Sequence, residues 1–323
     1  MKQVQLPRSG RMTSQLGFGC AFPNSVREQQ VVDLLSAAYD AGIRHFDVAP
    51  FYIDGRAEGY LGSFLATHPD ATVTTKYGLS PPSRLPLHMK VARIVLGPAV
   101  RAIRKKIMGP PNAFGGVPLT AKASFRPDEM VRSLHRSLAL LKRSYLDLFL
   151  LHESELHDVE HDGLLDSLRE QISGGIIGAF GVAGEAHRVC GVQGERPDFC
   201  DVVQFNWDPI TDSPQFVDAF QIFFGVASRD DRGLQQKFAQ DRQLARHWSD
   251  GVGLDLSEIR NVRAIMLKAA LVTNPDGVIL TTSTNVKHIL ENVAIAEDPL
   301  LEAPALQFKK MAAQETISRV LDG

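Results

Sequence analysis

Four polar side chains with acid–base chemistry follow three strand-like runs in the first half of the chain. Asp47 and Tyr52 lie in HFDVAPFY, Lys76 in ATVTTKYG and His152 in YLDLFLLHE. Each run is apolar or β-branched up to its polar residue, so each polar group is expected where a buried strand ends, the place where parallel α/β folds keep their chemistry. An ammonium and a carboxylate beside a phenol are expected to lower the pKa of the phenol, and a nearby imidazole can hold a carbonyl oxygen. The set is suited to the reduction of a carbonyl group by a hydride carrier.

These runs belong to a series of strand candidates that alternates with helical patterns. The strand candidates are Leu16–Cys20, Ile43–Asp47, Ala71–Lys76, Leu146–His152, Ile177–Ala183, Val202–Phe205, Ile222–Ala227 and Val278–Thr281. Most are continuous apolar runs, as in strands that are buried on both faces. Helical periodicity lies at Val26–Ala41, Ala57–Ala66, Asp128–Leu141, Gly163–Gly174, Ser257–Val272 and Val286–Ala296. Eight strands with interposed helices predict an α/β fold, a (β/α)8 TIM barrel.

A doubly wound sheet is the structural alternative. That fold usually carries GxGxxG after its first strand, whereas here GFG is followed by Cys20 and no later glycine has the right spacing. The barrel is therefore favoured. Gln3–Gln15 is interpreted as a hairpin before the first barrel strand, and Ala303–Leu321 as a helix that closes the bottom or packs alongside the barrel.

Two stretches exceed normal loop lengths and would lie over the C-terminal face of a barrel. The first, near 78–124, carries two proline pairs around a basic patch and is interpreted as a lid on the substrate side. The second lies near 228–255. No linker or internal repeat divides the sequence, so residues 1–323 are predicted to form a single barrel domain with these two insertions.

The overall composition argues against several classes of partner. The net charge of -2 gives no electrostatic case for nucleic acid or an anionic membrane. No apolar stretch has the length of a transmembrane helix, and the first residues lack the apolar core of a signal peptide. The three cysteines show neither CxxC nor metal-ligand spacing, which predicts a reducing, cytoplasmic compartment and no metal. A small carbonyl or alcohol compound is the predicted partner.

Seven short motifs carry a resemblance to a known family. LGFG, AGIRHFDVAPFY, TTKYG, SLALLKRSYLDLFLLH, GAFGVAG, VVQFNW and STNVKHILEN resemble, in their order and spacing, the motifs of the aldo-keto reductase family. The resemblance implies a barrel that binds NADPH, or less often NADH, and that reduces aldehydes and ketones or oxidises alcohols without a metal. It implies that Tyr52 donates the proton, that Lys76 stabilises the phenolate and that Asp47 positions Lys76. It also implies that His152 holds the substrate oxygen.

The same resemblance implies a set of cofactor-binding residues. The set comprises Gly184, Gln204, Ser228, Arg229, Thr282, Ser283, Thr284, His288 and Asn292. Gln204 falls where the family binds the nicotinamide carboxamide, but the family's Ser-Asn for the same amide is Ala183-Gly184 here. Backbone groups at Gly184 are expected to substitute. Ser228 and Arg229 are placed at the pyrophosphate, although Arg229 could equally form a surface ion pair.

The residues around the end of the last strand bear on the choice of cofactor. The resemblance places Ser283 and its neighbours on a 2′-phosphate at a helix N-terminus, and Asn292 on the adenine. The family's usual lysine is Thr282 and its usual arginine is His288. NADP(H) is therefore predicted over NAD(H), with a preference that is weak and pH-dependent.

Two alternatives to a reductase remain open at this stage. One is a non-catalytic barrel that binds a dinucleotide as a sensor or regulatory subunit, which the altered nicotinamide contacts favour. The other is a lyase that uses Lys76 as a Schiff base, which the spacing of Asp47 and Tyr52 disfavours.

Overall fold

A computed structural model describes residues 1–80, 121–208, 216, 218–226 and 234–321. Most of the predicted lid lies outside these residues, and so do Ser228 and Arg229. The assignment of residues 1–323 to one domain with two insertions therefore stays a prediction.

Eight parallel strands form a closed barrel, which confirms the predicted fold. The strands of the chain are β1 Gln3–Gln5, β2 Met12–Ser14, β3 Leu16–Gly19, β4 His45–Asp47, β5 Thr72–Tyr77, β6 Leu79–Ser80, β7 Ala121–Lys122, β8 Leu146–His152, β9 Ile177–Gly184, β10 Val202–Asn206, β11 Phe220–Phe224 and β12 Val278–Thr281. The barrel order is β3-β4-β5-β8-β9-β10-β11-β12, and β12 pairs with β3 to close it. Because all barrel strands run the same way, their carboxyl ends meet at one end of the molecule.

Helices surround the barrel and connect its strands. They are α1 Glu28–Asp40, α2 Ala57–Leu65, α3 Pro127–Leu141, α4 Leu156–Val159, α5 Leu164–Ser173, α6 Ala186–Glu195, α7 Leu234–Gln240, α8 Arg242–Val252, α9 Ile259–Thr273, α10 Val286–Glu297 and α11 Glu302–Leu321. The helix α6 occupies a connection in which the sequence shows only weak helical periodicity. None of the helices within the described ranges is long and apolar enough to cross a lipid bilayer.

The seventh barrel strand begins two residues earlier and ends three residues earlier than the sequence pattern indicates. Phe220 and Gln221 extend the ladder because they pair with Val202 and Val203 of β10. The strand ends before Gly225, which has a φ of +74°, a left-handed conformation that breaks an extended backbone.

The interior of the barrel is an apolar cluster that the N-terminal hairpin completes. The predicted hairpin is present, since β1 pairs with β2 in antiparallel fashion. It contributes Val4 and Leu6 to a cluster with Leu148, Val202 and Ile222 of the barrel strands. The hairpin therefore closes the N-terminal end of the barrel and leaves the opposite end for a site.

The C-terminal helix packs alongside the barrel helices. It contacts α8 and α9, and Trp248 of α8 lies with its ring 5.2 Å from that of Phe308. The described end of the second insertion is thus held by apolar packing.

Candidate active site

The predicted pairing of Lys76 with Asp47 forms the centre of the site. Neighbouring strands β4 and β5 bring the two side chains together at their carboxyl ends. Lys76 Nζ donates to Asp47 Oδ1 at 2.6 Å, to Asp47 Oδ2 at 2.7 Å and to the Val48 carbonyl at 3.2 Å. Only 2% of Lys76 and 3% of Asp47 are exposed, so neither charge could be removed alone without leaving its partner uncompensated.

Gln204 reaches the same pair from the other side of the barrel. Its Nε2 donates to Asp47 Oδ2 at 2.9 Å. Its Oε1 is buried and has no hydrogen-bond partner among the described residues. The family resemblance implies that Gln204 binds a nicotinamide carboxamide, and the contact with Asp47 was not foreseen. A buried amide oxygen without a partner is costly, so this atom is a candidate ligand acceptor.

Tyr52 enters the site on a strained turn after β4. The turn Tyr52–Gly55 holds Ile53 and Asp54 in the left-handed region, both with a φ of +53°. That conformation is rare for a β-branched residue and costs free energy, which the surrounding structure must offset. Ile53 is buried, and Arg56 donates to its carbonyl at 3.0 Å. These contacts fix the position of the neighbouring phenol.

Phe51 lies between the two groups that are predicted to meet the substrate. The centroid of its ring is 4.7 Å from the ring centroid of Tyr52 and 5.4 Å from that of His152. The ammonium of Lys76 lies 5.6 Å from the centroid of the Tyr52 ring. All four residues of the predicted tetrad are therefore at the same end of the barrel.

The protonation states of Tyr52 and His152 follow from burial. Burial raises the pKa of Tyr52 well above 10, and the nearby carboxylate of Asp47 raises it further. The sequence led us to expect a lowered pKa, but burial and the carboxylate of Asp47 both act in the opposite direction. Burial, with a smaller effect of Lys76, lowers the pKa of His152 well below 6.5. At neutral pH the phenol therefore carries its proton, and the imidazole is neutral.

The predicted phosphate-binding residues lie around the start of α10. Thr282, Thr284 and His288 are exposed, and the Ser283 hydroxyl accepts a hydrogen bond from the Asn285 backbone N–H at 3.1 Å. The Asn285 side chain accepts from the backbone N–H of Lys287 at 3.0 Å, which caps the helix. This exposed N-terminus, on a helix of 12 residues, has the polarity that suits a phosphate group.

Glu153 and Asn206 were missed by the sequence analysis. Glu153 directly follows His152, and its side chain lies against Gly184 at the end of β9. Asn206 ends β10 and accepts a hydrogen bond from the Ala186 backbone N–H at 3.1 Å, which anchors the start of α6. The only signal for Glu153 in the sequence is its position next to the predicted catalytic histidine.

Two observations bear on which group this site could hold. The Oε1 of Gln204 and the Nδ1 of His152 are buried and lack hydrogen-bond partners among the described residues, which points to a polar ligand at the barrel mouth. Within the described ranges, no cluster of three or more His, Cys, Asp or Glu side chains could hold a metal ion.

Comparisons with known proteins agree on one family. The sequence model of the Aldo/keto reductase family matches residues 15–219. A D-threo-aldose 1-dehydrogenase from a Pseudomonas species is 29% identical over 187 residues, which are 54% of this chain and 51% of that protein. The match thus spans about half the length of this curated relative.

Solved structures show the same fold over nearly the whole chain. An aldo-keto reductase from Bacillus halodurans in its holo form has a TM-score of 0.70 at 17% identity, covering 97% of this chain and 96% of that one. An aldo-keto reductase from Klebsiella pneumoniae in complex with NADPH has a TM-score of 0.62 at 15% identity, and the match covers 97% of this chain and 96% of that one.

Proposed function

The chain belongs to the aldo/keto reductase family, and on this premise we propose that it transfers a hydride between a nicotinamide dinucleotide and a small aldehyde, ketone or corresponding alcohol. One observation carries the proposal. The buried pair of Lys76 and Asp47 lies at the same barrel end as a protonated Tyr52 and a neutral His152. Together these groups supply a proton, a hydrogen-bond donor and a fixed positive charge for a carbonyl oxygen.

The residues present fit a nicotinamide dinucleotide. Gln204 offers a buried acceptor that lacks a partner among the described residues, and Gly184 lies on the neighbouring strand β9. The start of α10, with Thr282, Ser283 and Thr284, has the polarity for a phosphate. His288 and Asn292 follow on the same helix, and Ser228 and Arg229 complete the proposed set. When bound, the reduced dinucleotide supplies the hydride.

Tyr52 supplies the proton in this proposal. Its phenol is protonated at neutral pH and donates to the substrate oxygen as negative charge develops there. Lys76 stabilises the phenolate that results, because Asp47 and the Val48 carbonyl hold its ammonium in place. The neutral imidazole of His152 donates a hydrogen bond to the same oxygen and so orients the carbonyl.

The direction of the reaction and the dinucleotide form part of the same proposal. We include alcohol oxidation because the matched Pseudomonas relative bears the name of a dehydrogenase. We propose NADP(H) before NAD(H), since the exposed start of α10 offers hydroxyls and an imidazole to a 2′-phosphate and offers no carboxylate to a 2′-hydroxyl.

Removal of the phenolic oxygen of Tyr52 tests the proposal. Tyr52→Phe keeps the ring but removes the proton donor, so turnover of NADPH with a panel of aldehydes should fall by roughly 10²–10⁴-fold. Binding of the dinucleotide, followed by fluorescence, should stay nearly unchanged. Tyr39→Phe is the matched control, because the Tyr39 hydroxyl donates to Asp70 at the surface at 2.7 Å. A Tyr52→Phe protein that keeps more than about a tenth of the turnover would contradict the proposal.

A non-catalytic dinucleotide-binding barrel is the second candidate. It is favoured by Ala183-Gly184, which lacks the amide-binding side chains that are usual in the family. The same assay separates the two candidates. Dinucleotide binding without turnover on any aldehyde or alcohol would favour a sensor or regulatory role.

A further inference from the structure

The space that a side chain at residue 184 would fill is taken by Glu153. A Cβ placed on Gly184 would lie 3.2 Å from Glu153 Oε2 and 3.3 Å from its carboxyl carbon. The family carries an asparagine at this position, directed at the nicotinamide carboxamide. In this chain the glycine removes that side chain, and a carboxylate from the neighbouring strand end lies in its place.

The backbone of Glu153 is fixed at the point where β8 ends. Its N–H donates to the Ala183 carbonyl at 2.7 Å, and its φ is +53°. A left-handed residue turns the chain out of the extended path of the strand, at a cost that its contacts must offset. The carboxylate is thereby placed over β9, immediately after His152.

The carboxylate of Glu153 is held next to α6, and its charge acts on Tyr52. The Nη1 atom of Arg188, on α6, lies 3.6 Å from Glu153 Oε2 and 3.1 Å from Glu155 Oε1. The charge of Glu153 also reaches Tyr52, where it raises the pKa of the phenol. Burial raises the pKa of Glu153 itself, while Arg188 opposes that rise. A half-buried carboxylate of this kind is stabilised by an additional N–H donor.

We propose that Glu153 accepts a hydrogen bond from the carboxamide NH₂ of the nicotinamide ring and so replaces the Ser-Asn side chains of the family. The NH₂ group has two hydrogens, and the site offers two acceptors. They are the Glu153 carboxylate and the Oε1 of Gln204, which has no partner in the described part of the chain. The site therefore selects a ring whose substituent carries N–H donors. This inference rests on the proposed function, because it requires that a nicotinamide dinucleotide binds.

A purely structural role for Glu153 makes a different prediction. If the carboxylate only pairs with Arg188 and stabilises the start of α6, its removal would lower the stability of the protein. It would also lower the affinity for every dinucleotide by the same factor. If it accepts from the carboxamide, its removal changes the ratio of affinities for dinucleotides with and without an NH₂ group.

Binding titrations of the full chain with three dinucleotides test the inference. NADP⁺ and its thionicotinamide analogue keep the NH₂ group, whereas the 3-acetylpyridine analogue carries a methyl group instead. The wild-type chain should bind the first two alike and the third about tenfold more weakly. Glu153→Ala should bind NADP⁺ about tenfold more weakly and should discriminate against the acetyl analogue by less than about threefold.

Two further variants serve as control and rescue. Glu155→Gln removes the other carboxylate that pairs with Arg188 and should keep the wild-type ratio. Restoring the family pair, with Ala183→Ser and Gly184→Asn in the Glu153→Ala background, should recover both the affinity and the discrimination. Glu153→Gln keeps the shape of the side chain and should show an intermediate ratio even if the alanine variant fails to fold.

The outcomes separate this inference from the proposed function. A wild-type chain that binds none of the three dinucleotides would contradict the proposed function, and the inference with it. A wild-type chain that binds all three equally would overturn the inference alone. A Glu153→Ala or Glu153→Gln chain that discriminates as strongly as the wild type would also overturn it.

Discussion

Both ends of the barrel bury polar groups, but the two ends differ in how completely these groups are hydrogen-bonded within the protein. At the N-terminal end, Asp147 accepts from Arg11 at 2.6 Å and from the Val73 backbone N–H at 2.8 Å. His45 contacts Thr72 and Thr74 through both ring nitrogens, each at 3.0 Å. At this end Asp147 and His45 are therefore fully paired within the protein. The Nε of Arg143 is buried without a partner among the described residues, but the other two nitrogens of its guanidinium donate to backbone carbonyls.

At the C-terminal end, the polar groups are only partly satisfied. Lys76 and Asp47 are paired, yet Gln204 Oε1 and His152 Nδ1 are buried without partners in the described part of the chain. Folding stability alone favours the pattern of the N-terminal end, because a buried polar atom without a hydrogen bond costs about 1–3 kcal/mol. The difference indicates which end of the barrel is arranged for a ligand.

Lys76→Met should have the largest effect and should affect both activity and stability. Tyr52 would lose the charge that stabilises its phenolate, so kcat should fall by about 10²–10⁴-fold. Asp47 would stay buried with Gln204 as its one remaining side-chain partner among the described residues, which should lower the free energy of unfolding by about 3–5 kcal/mol. Enzyme assays and urea unfolding measure the two effects.

A double variant separates these two effects of Lys76. Asp47→Asn combined with Lys76→Met removes both charges, so stability should largely return while activity should not. Recovery of kcat in the double variant would show that the buried pair serves stability only, as at the other end of the barrel.

Arg11→Met tests the N-terminal end with the same type of change. It leaves Asp147 buried, but Arg11 itself is 34% exposed, so the expected loss is smaller, about 2 kcal/mol. The kcat of the folded protein should stay unchanged, because no atom of this pair reaches the proposed site. Arg8→Met is the control: its ion pair with Asp201 lies at the surface, with Arg8 52% exposed, and should contribute less than about 1 kcal/mol. A fall in kcat for Arg11→Met would show that the two ends are coupled.

The sequence predicted the barrel and the convergence of Asp47 and Lys76 for the same reason. Continuous apolar runs identify buried parallel strands, and polar residues at the ends of neighbouring strands must meet. Contacts that depend on side-chain conformation were not predictable in this way. The bond from Gln204 to Asp47 and the position of Glu153 over Gly184 both require the direction of a side chain, which strand boundaries do not give.

Long-range contacts outside the motifs could not be predicted from the sequence either. Arg11 and Asp147 are 136 positions apart, and nothing near either residue marks it as the partner of the other. The raised pKa of Tyr52 was missed because its direction is set by burial and by the carboxylate of Asp47, and only the structure shows how deeply the phenol is buried.

His45 should make stability depend on pH at the N-terminal end. Burial, with a smaller effect of Lys76, lowers its pKa to about 3, whereas a histidine in the unfolded chain has the ordinary value of 6.5. Below pH 6.5 the histidine of the unfolded state is protonated while His45 of the folded state is still neutral. The free energy of unfolding therefore falls as the pH falls from 6.5 towards 3. The expected contribution is about 1.4 kcal/mol per pH unit.

Urea unfolding at several pH values between 7 and 4 measures this contribution. His45→Gln should give a shallower dependence than the wild type, whatever its stability at pH 7. A wild-type and a His45→Gln protein with the same slope would show that burial does not hold His45 neutral.

The smallest predicted effect concerns the outer rim of the C-terminal end, where charges are exposed. His288 lies exposed in the first turn of α10, and the neighbouring Lys287 lies 3.7 Å from Glu291. Histidine is the side chain that gains charge as the pH falls from 8 to 6, so a 2′-phosphate near His288 should be held more tightly at the lower pH. The ratio of NADPH to NADH affinity should rise over this range. Because the group is exposed and screened, the rise should stay below about tenfold.

Titrations of both dinucleotides at pH 6 and pH 8 decide this prediction, since the ratio cancels any effect of pH on the common part of the two molecules. In His288→Gln the rise should vanish or reverse slightly, because a phosphate monoester loses part of its own charge near pH 6. His247→Gln, in an exposed position on α8, should behave like the wild type. A wild-type ratio that does not change with pH would refute the role of His288, and it would place the selection of the phosphate on the hydroxyls and backbone N–H groups at the start of α10.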